Sequence, residues 1–109
     1  MQQWDLRTLD VQAHHPQVLH SADEGRAILL FLPQGESLQE HQVHERVWLV
    51  VVDGEIEIDH QGEVVQAGSG ALTVFAPNEP REVRARSDAR LLIVLAPWPG
   101  EGHPSLHAA

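Results

Sequence analysis

The stretch LPQGESLQEHQVHERVWLVVVDGEIEI, Leu32 to Ile58, opens on Pro33 and Gly35, which mark a turn, and continues as an extended segment to His41 and His44. Val47 to Val52 is then an unbroken apolar run of strand length that stops at Asp53-Gly54. Asp-Gly is a strong hairpin signal, because glycine readily takes the positive φ such turns need. Beyond it Glu55, Ile56, Glu57 and Ile58 alternate, as a strand does with one face buried and the other wet. The expectation is two paired strands across a hairpin at Asp53-Gly54. On the first strand Val47, Leu49 and Val51 line the interior, while Trp48, Val50 and Val52 make a second apolar face suited to core packing or to a subunit interface.

Outward from this stretch the chain keeps the same texture. Strands are predicted over Ala27 to Leu32, Glu63 to Ala67, Ala71 to Ala76, Arg81 to Arg86 and Leu91 to Leu95. Turn composition separates them at Ser21 to Gly25, His60 to Gly62, Gly68 to Gly70 and Pro77 to Pro80. In the fourth of these strands Arg81, Val83 and Ala85 share one face and Glu82, Arg84 and Arg86 the other. Trp4, Leu6 and Leu9 follow no single period, and His14-His15 reads as a solvated loop, so residues 1–26 form an irregular arm. Residues 27–97 form a barrel, and residues 98–109, with His103 and His107, a solvated tail. No segment shows a sustained helical period. The chain is a single all-β domain, a sandwich or barrel.

Composition narrows the function. A net charge of -9, with every basic residue an arginine, leaves no basic stripe for nucleic acid and no lysine for Schiff-base chemistry. There is no cysteine, hence no disulfide framework and no thiolate metal site. No apolar run approaches the roughly 18 to 20 residues of a membrane span, and the first residues lack a secretory pattern. A soluble cytoplasmic protein is expected, with neither nucleic acid nor membrane as a partner.

The central stretch resembles the first motif of the cupin superfamily, G-x5-H-x-H-x3,4-E-x6-G, with Gly35, His41 and Gly54 in place. The second histidine slot holds Val43 and the glutamate slot Val47. The second motif, G-x5-P-x-G-x2-H-x3-N, can be laid on Gly70 onward, with Asn78, a residue tolerant of positive φ, in a glycine slot and Arg81 in the histidine slot. The resemblance implies a small single-domain RmlC-like cupin, a double-stranded β-helix or jelly-roll barrel. It also implies a degenerate metal motif that keeps only His41. Related cupins commonly pair through apolar strands, and the continuous runs Ala27 to Leu32 and Val47 to Val52 likewise point to a homodimer.

Two functional readings compete. In the first, no metal or other cofactor is bound and the domain is a non-catalytic binding or sensing module. Its pocket residues are then His41, Arg81, Val43 and Val47, and a small organic acid is anchored by Arg81 with His41 as a second donor. An internal ion pair for Arg81, or a position past the barrel rim, is the plainer account of that residue. In the second reading the chain is a metal-dependent enzyme of dioxygenase or isomerase type with an altered ligand set. A bulge near Val43 would turn His44 inward, a register shift near Pro80 would put Glu82 in place of Arg81, and His41, His44 and Glu82 would hold a divalent metal.

Overall fold

Along Val47 to Val52 the expected alternation is realised in the computed structural model. Val47, Leu49 and Val51 are at most 3% exposed, and Trp48, Val50 and Val52 opposite them are half-buried. The structure describes residues 1–104 apart from residue 42, and of residues 39–41 the backbone alone. Its strands are β1 (Gln17–Ala22), β2 (Gly25–Leu32), β3 (Ser37–His41), β4 (Arg46–Asp53), β5 (Glu55–His60), β6 (Glu63–Gly68), β7 (Leu72–Phe75), β8 (Arg81–Ala85) and β9 (Ala89–Ala96). They form a five-stranded sheet in the order β1-β2-β9-β4-β7 and a four-stranded sheet in the order β3-β8-β5-β6. All neighbours are antiparallel. The two sheets face each other as a double-stranded β-helix. Leu30, Val47, Leu49, Val51 and Leu91 of one sheet and Ile56, Ile58, Val83 and Ala85 of the other close the core between them. No helix among the described residues is long and apolar enough to cross a membrane.

The hairpin expected at Asp53-Gly54 is not one. β4 pairs with β7 and β9, whereas β5 pairs with β6 and β8, so the chain crosses at Gly54 from one sheet to the other. The dipeptide signals a backbone conformation, φ +93° at Gly54, and does not specify which strands then pair. The corner is stitched to the crossing between β8 and β9. A Cβ on Gly54 would collide with the Asp88 carbonyl and lie 2.9 Å from Ala89 Cα. The Arg86 amide donates to the Glu55 carbonyl at 2.8 Å, and the Glu55 amide to Ser87 Oγ at 3.0 Å. A tight two-residue hairpin does join β5 and β6, where Gln61 and Gly62 both have positive φ, 54° and 88°.

Both ends of the chain are more structured than their composition suggests. The stretch read as irregular contains β1, and the turn expected over Ser21 to Gly25 shrinks to Asp23 and Glu24. β1 is a largely polar edge strand with a bulge between Val18 and His20, so it shows no clean alternation to read. Before it, Arg90 Nη1 donates to the carbonyls of Leu6 at 3.0 Å and Leu9 at 2.7 Å and holds the arm against the five-stranded sheet. At the other end Trp98 packs on the core, and the Arg26 guanidinium lies 4.1 Å from its ring centroid. His107 lies outside the described residues.

Gly54 and Gly62 share a backbone conformation but not surroundings, since nothing lies within 4 Å of a Cβ on Gly62. Gly62→Ala is therefore expected to cost only the conformational strain, roughly 1 kcal/mol. Gly54→Ala adds overpacking against backbone and is expected to cost about 3 kcal/mol or more. Urea unfolding of the two variants checks this, and equal losses would reject the corner contact.

Candidate functional site

β8 alternates without a break. Arg81, Val83 and Ala85 point inward, and Arg81 is only 9% exposed. Its neighbours across the barrel are Val47, Leu49 and Phe75 of the five-stranded sheet, and with Leu38 and Val83 these enclose a cavity of about 20 Å³, room for roughly one water. A second recess of about 180 Å³ shares Arg81, Leu38 and Ile93 with it and opens past Ile28, Val43 and Pro16. Ile28, Leu38, Val43 and Ile93 all pack against the core yet stay half-buried.

The guanidinium sits 5.0 Å from the Phe75 ring centroid. Burial pushes Arg81 below the ordinary arginine range, and the nearby Glu79 carboxylate works against that shift. Glu79 is itself placed by the turn before β8: its Oε1 accepts from the Ala76 amide at 2.8 Å and its Oε2 lies 2.7 Å from His60 Nε2. Asn78 takes the positive φ expected of it, 63°, and its amide donates to the Val43 carbonyl at 2.7 Å, which fixes the recess rim. Glu79 was not singled out from sequence. Its position two residues before an inward arginine, in a turn, was the available signal.

Of the pocket residues expected, Val43, Val47 and Arg81 come together at these adjoining cavities. His41 stands opposite Arg81 in the β3–β8 register, but its side chain lies outside the described residues. Of the expected His41, His44 and Glu82 set, the structure places His44 and Glu82 apart. β8 pairs with β5 without a register shift, so Glu82 remains on the outer face, 3.7 Å from Arg84. The irregularity in β3 falls between Leu38 and His41 and does not carry His44 into the barrel. His44 lies instead beside the returning tail, its ring 5.9 Å from that of His103, which in turn is 5.0 Å from Trp98. His103 is half-buried there and not a solvated tail residue.

The described side chains that line the two cavities include no metal ligand. Val43 and Val47 have no lone pairs, and Arg81 brings a fixed positive charge to the same wall. Among the described residues no three His, Asp or Glu side chains converge.

Glu45 is the second residue that the sequence reading passed over. It is 2% exposed, and its Oε2 accepts from the Gly100 amide at 2.6 Å. Gly100 has no room for a side chain, since a Cβ would lie 2.6 Å from the His44 carbonyl. Strand parity was the missed signal: Glu45 continues the inward face of Val47, Leu49 and Val51.

A family model described as "Cupin domain" matches residues 27–96. A search of curated proteins finds no match. An RmlC-like cupin protein from Desulfovibrio desulfuricans is similar in structure at a TM-score of 0.80, with 25% identity over 89% of this chain and 97% of that one. An RmlC-like cupin with a double-stranded β-helix fold from Methanocaldococcus jannaschii superposes at 0.74, with 20% identity over 91% and 90% of the two chains. The Cnp3 cupin domain of Schizosaccharomyces pombe superposes at 0.77, with 13% identity over 87% and 73%.

Glu45→Ala leaves the buried Gly100 amide without its acceptor and is expected to cost about 1 to 3 kcal/mol. Glu45→Gln retains an acceptor oxygen and is expected to cost less. Hydrogen exchange at Gly100, with unfolding midpoints, checks this; an alanine variant as protected as wild type would reject the role.

Proposed function

We propose that this chain, which belongs to the cupin domain family, is a metal-independent binding module for a small organic acid, anchored by Arg81 with His41 as a second donor. The observation that carries the reading is the position of Arg81, inward on β8 at the junction of two cavities whose other described lining side chains are apolar. A guanidinium keeps its charge at any ordinary pH and offers a planar fork that fits a carboxylate in two parallel hydrogen bonds. In a dry wall that interaction is screened far less than on the surface. Val43 and Val47 contribute shape and dryness. No nucleophile or proton-transfer pair faces the cavity among the described residues, which supports binding over catalysis. The lack of cysteine supports a cytoplasmic setting.

Carboxylates should raise the melting temperature of the wild type and leave Arg81→Met unmoved, in a variant that still unfolds cooperatively. An equal response from both would reject Arg81 as anchor. Near-stoichiometric zinc, iron, nickel or manganese in the purified protein, lost on His41→Ala, would reject the metal-independent reading in favour of an enzyme of dioxygenase or isomerase type.

We also propose that two copies pair through the outer face of the five-stranded sheet. The two sheets differ on their outer sides. The four-stranded sheet presents Glu57, Glu82, Arg84 and Arg86 in ion pairs. The five-stranded sheet presents Trp48, Val50, Leu92 and Val94, with Leu72 and Val74 of β7 at 59% and 45% exposure. Chains of net charge -9 repel, and this apolar patch is where two copies can approach closely. Light scattering should give a dimeric mass for the wild type and a monomeric one for Leu72→Glu; a monomeric wild type would reject the pairing.

A further inference from the structure

We infer that the N-terminal arm, residues 1–13, regulates the pairing of copies: it covers part of the apolar outer face of the five-stranded sheet and so limits assembly to two copies. The inference rests on the pairing proposed above and adds what bounds it. Strand parity defines the covered part. Leu30 and Leu32 of β2 and Leu91 of β9 belong to the core, so Leu29, Phe31, Arg90 and Leu92 face outward. Leu29 pairs with Leu92, Leu92 with Val50 and Val50 with Leu72, one apolar row across four strands. The two ends of that row differ: Leu72 is 59% exposed, whereas Leu29 is 0% exposed. An outward side chain is closed off so fully only when something lies over it.

The arm is the segment on that side. Ala13 pairs with Phe31 in a single β-bridge, and Arg90, beside Phe31 on β9, holds the carbonyls of Leu6 and Leu9 at 3.0 and 2.7 Å. A turn presents those carbonyls: the amides of Thr8 and Leu9 donate to the Asp5 carbonyl, and the Arg7 amide donates to Asp5 Oδ1. Leu6, Leu9, Val11 and Ala13 are half-buried, while Asp5, Arg7, Thr8, Asp10 and Gln12 are exposed. The arm is therefore apolar toward the sheet and polar toward solvent, and it turns a sticky surface into a soluble one. A second copy finds the side of Trp48, Val50, Leu72 and Val74 bare and the side of Leu29 and Phe31 closed. With one side open each copy takes one partner; with both open, a further apolar contact can form beside the first.

Light scattering and limited thermolysin cleavage of the full chain test the inference, with Arg90→Met, which keeps an unbranched stem and removes both hydrogen bonds. Hydrogen bonds from a charged donor contribute more than neutral ones, so cleavage within residues 1–13 should quicken at least about ten-fold. The mass should pass beyond that of a dimer. Adding Phe31→Glu, which charges the uncovered side, should return it to a dimer. Leu6→Glu with Leu9→Glu, on the arm and outside every strand, should reproduce the faster cleavage and the larger mass without touching the barrel. Faster cleavage with a mass still dimeric would overturn the limit on assembly and leave the pairing standing. Unchanged cleavage in both variants would overturn the hold on the arm, and a larger mass that survives Phe31→Glu would overturn the uncovered side as the further contact. A monomeric wild type rejects the pairing itself: loosened variants that then associate would still support the arm as the barrier, and variants that stay monomeric would overturn both.

Discussion

Adjacent residues of a strand must face opposite ways, and on β4 that parity is the constraint on which the molecule depends. With Val47, Leu49 and Val51 turned inward, Glu45 is turned inward too, and its carboxylate is then the acceptor that draws Gly100 and the returning tail onto the barrel. The same parity leaves Trp48, Val50 and Val52 on the outside, so the central region of the five-stranded sheet is apolar on both faces. A slip of one residue would expose the core face and bury Arg46.

β8 obeys the same rule with a different consequence. Val83 and Ala85 must be inside to close the core against Ile56 and Ile58, and two residues earlier the parity leaves Arg81 no choice. A guanidinium is difficult to bury, yet here the strand cannot turn it out without exposing Val83. The cost is moderated by what surrounds it: the Phe75 ring, the field of Glu79, and a cavity in which it meets no second cation among the described residues. Core packing and site chemistry are therefore coupled through one strand.

That coupling explains what was legible in the sequence. Alternation is local, so the inward faces of β4, β5 and β8 could be read directly, while Val43, Val47 and Arg81, which meet at two adjoining cavities, were legible through the cupin motif slots they occupy. Pairing is not local. Asp53-Gly54 announces a positive φ, but whether the chain returns along β4 or crosses to the facing sheet is decided by β9 and β7, which arrive later and occupy both edges of β4. β1 was obscured for a related reason, because a polar edge strand with a bulge needs a partner, not an amphipathic pattern, to form. Glu45 and Glu79 were passed over because a carboxylate just before an apolar run, or within a turn, reads as a surface residue until its acceptor role is seen.

A guanidinium and a bound metal ion are not chemically equivalent. A cation bound by histidines presents positive charge through open coordination positions, and it polarises whatever occupies them. A guanidinium presents the same sign of charge through fixed N–H vectors, with no orbital to accept a lone pair. It can therefore hold and orient an anion but cannot act as a Lewis acid toward it. In this barrel Arg81 stands with Val43 and Val47, which offer no lone pairs and line the adjoining walls with hydrocarbon. Together they give the two adjoining cavities apolar described walls with a guanidinium at their junction.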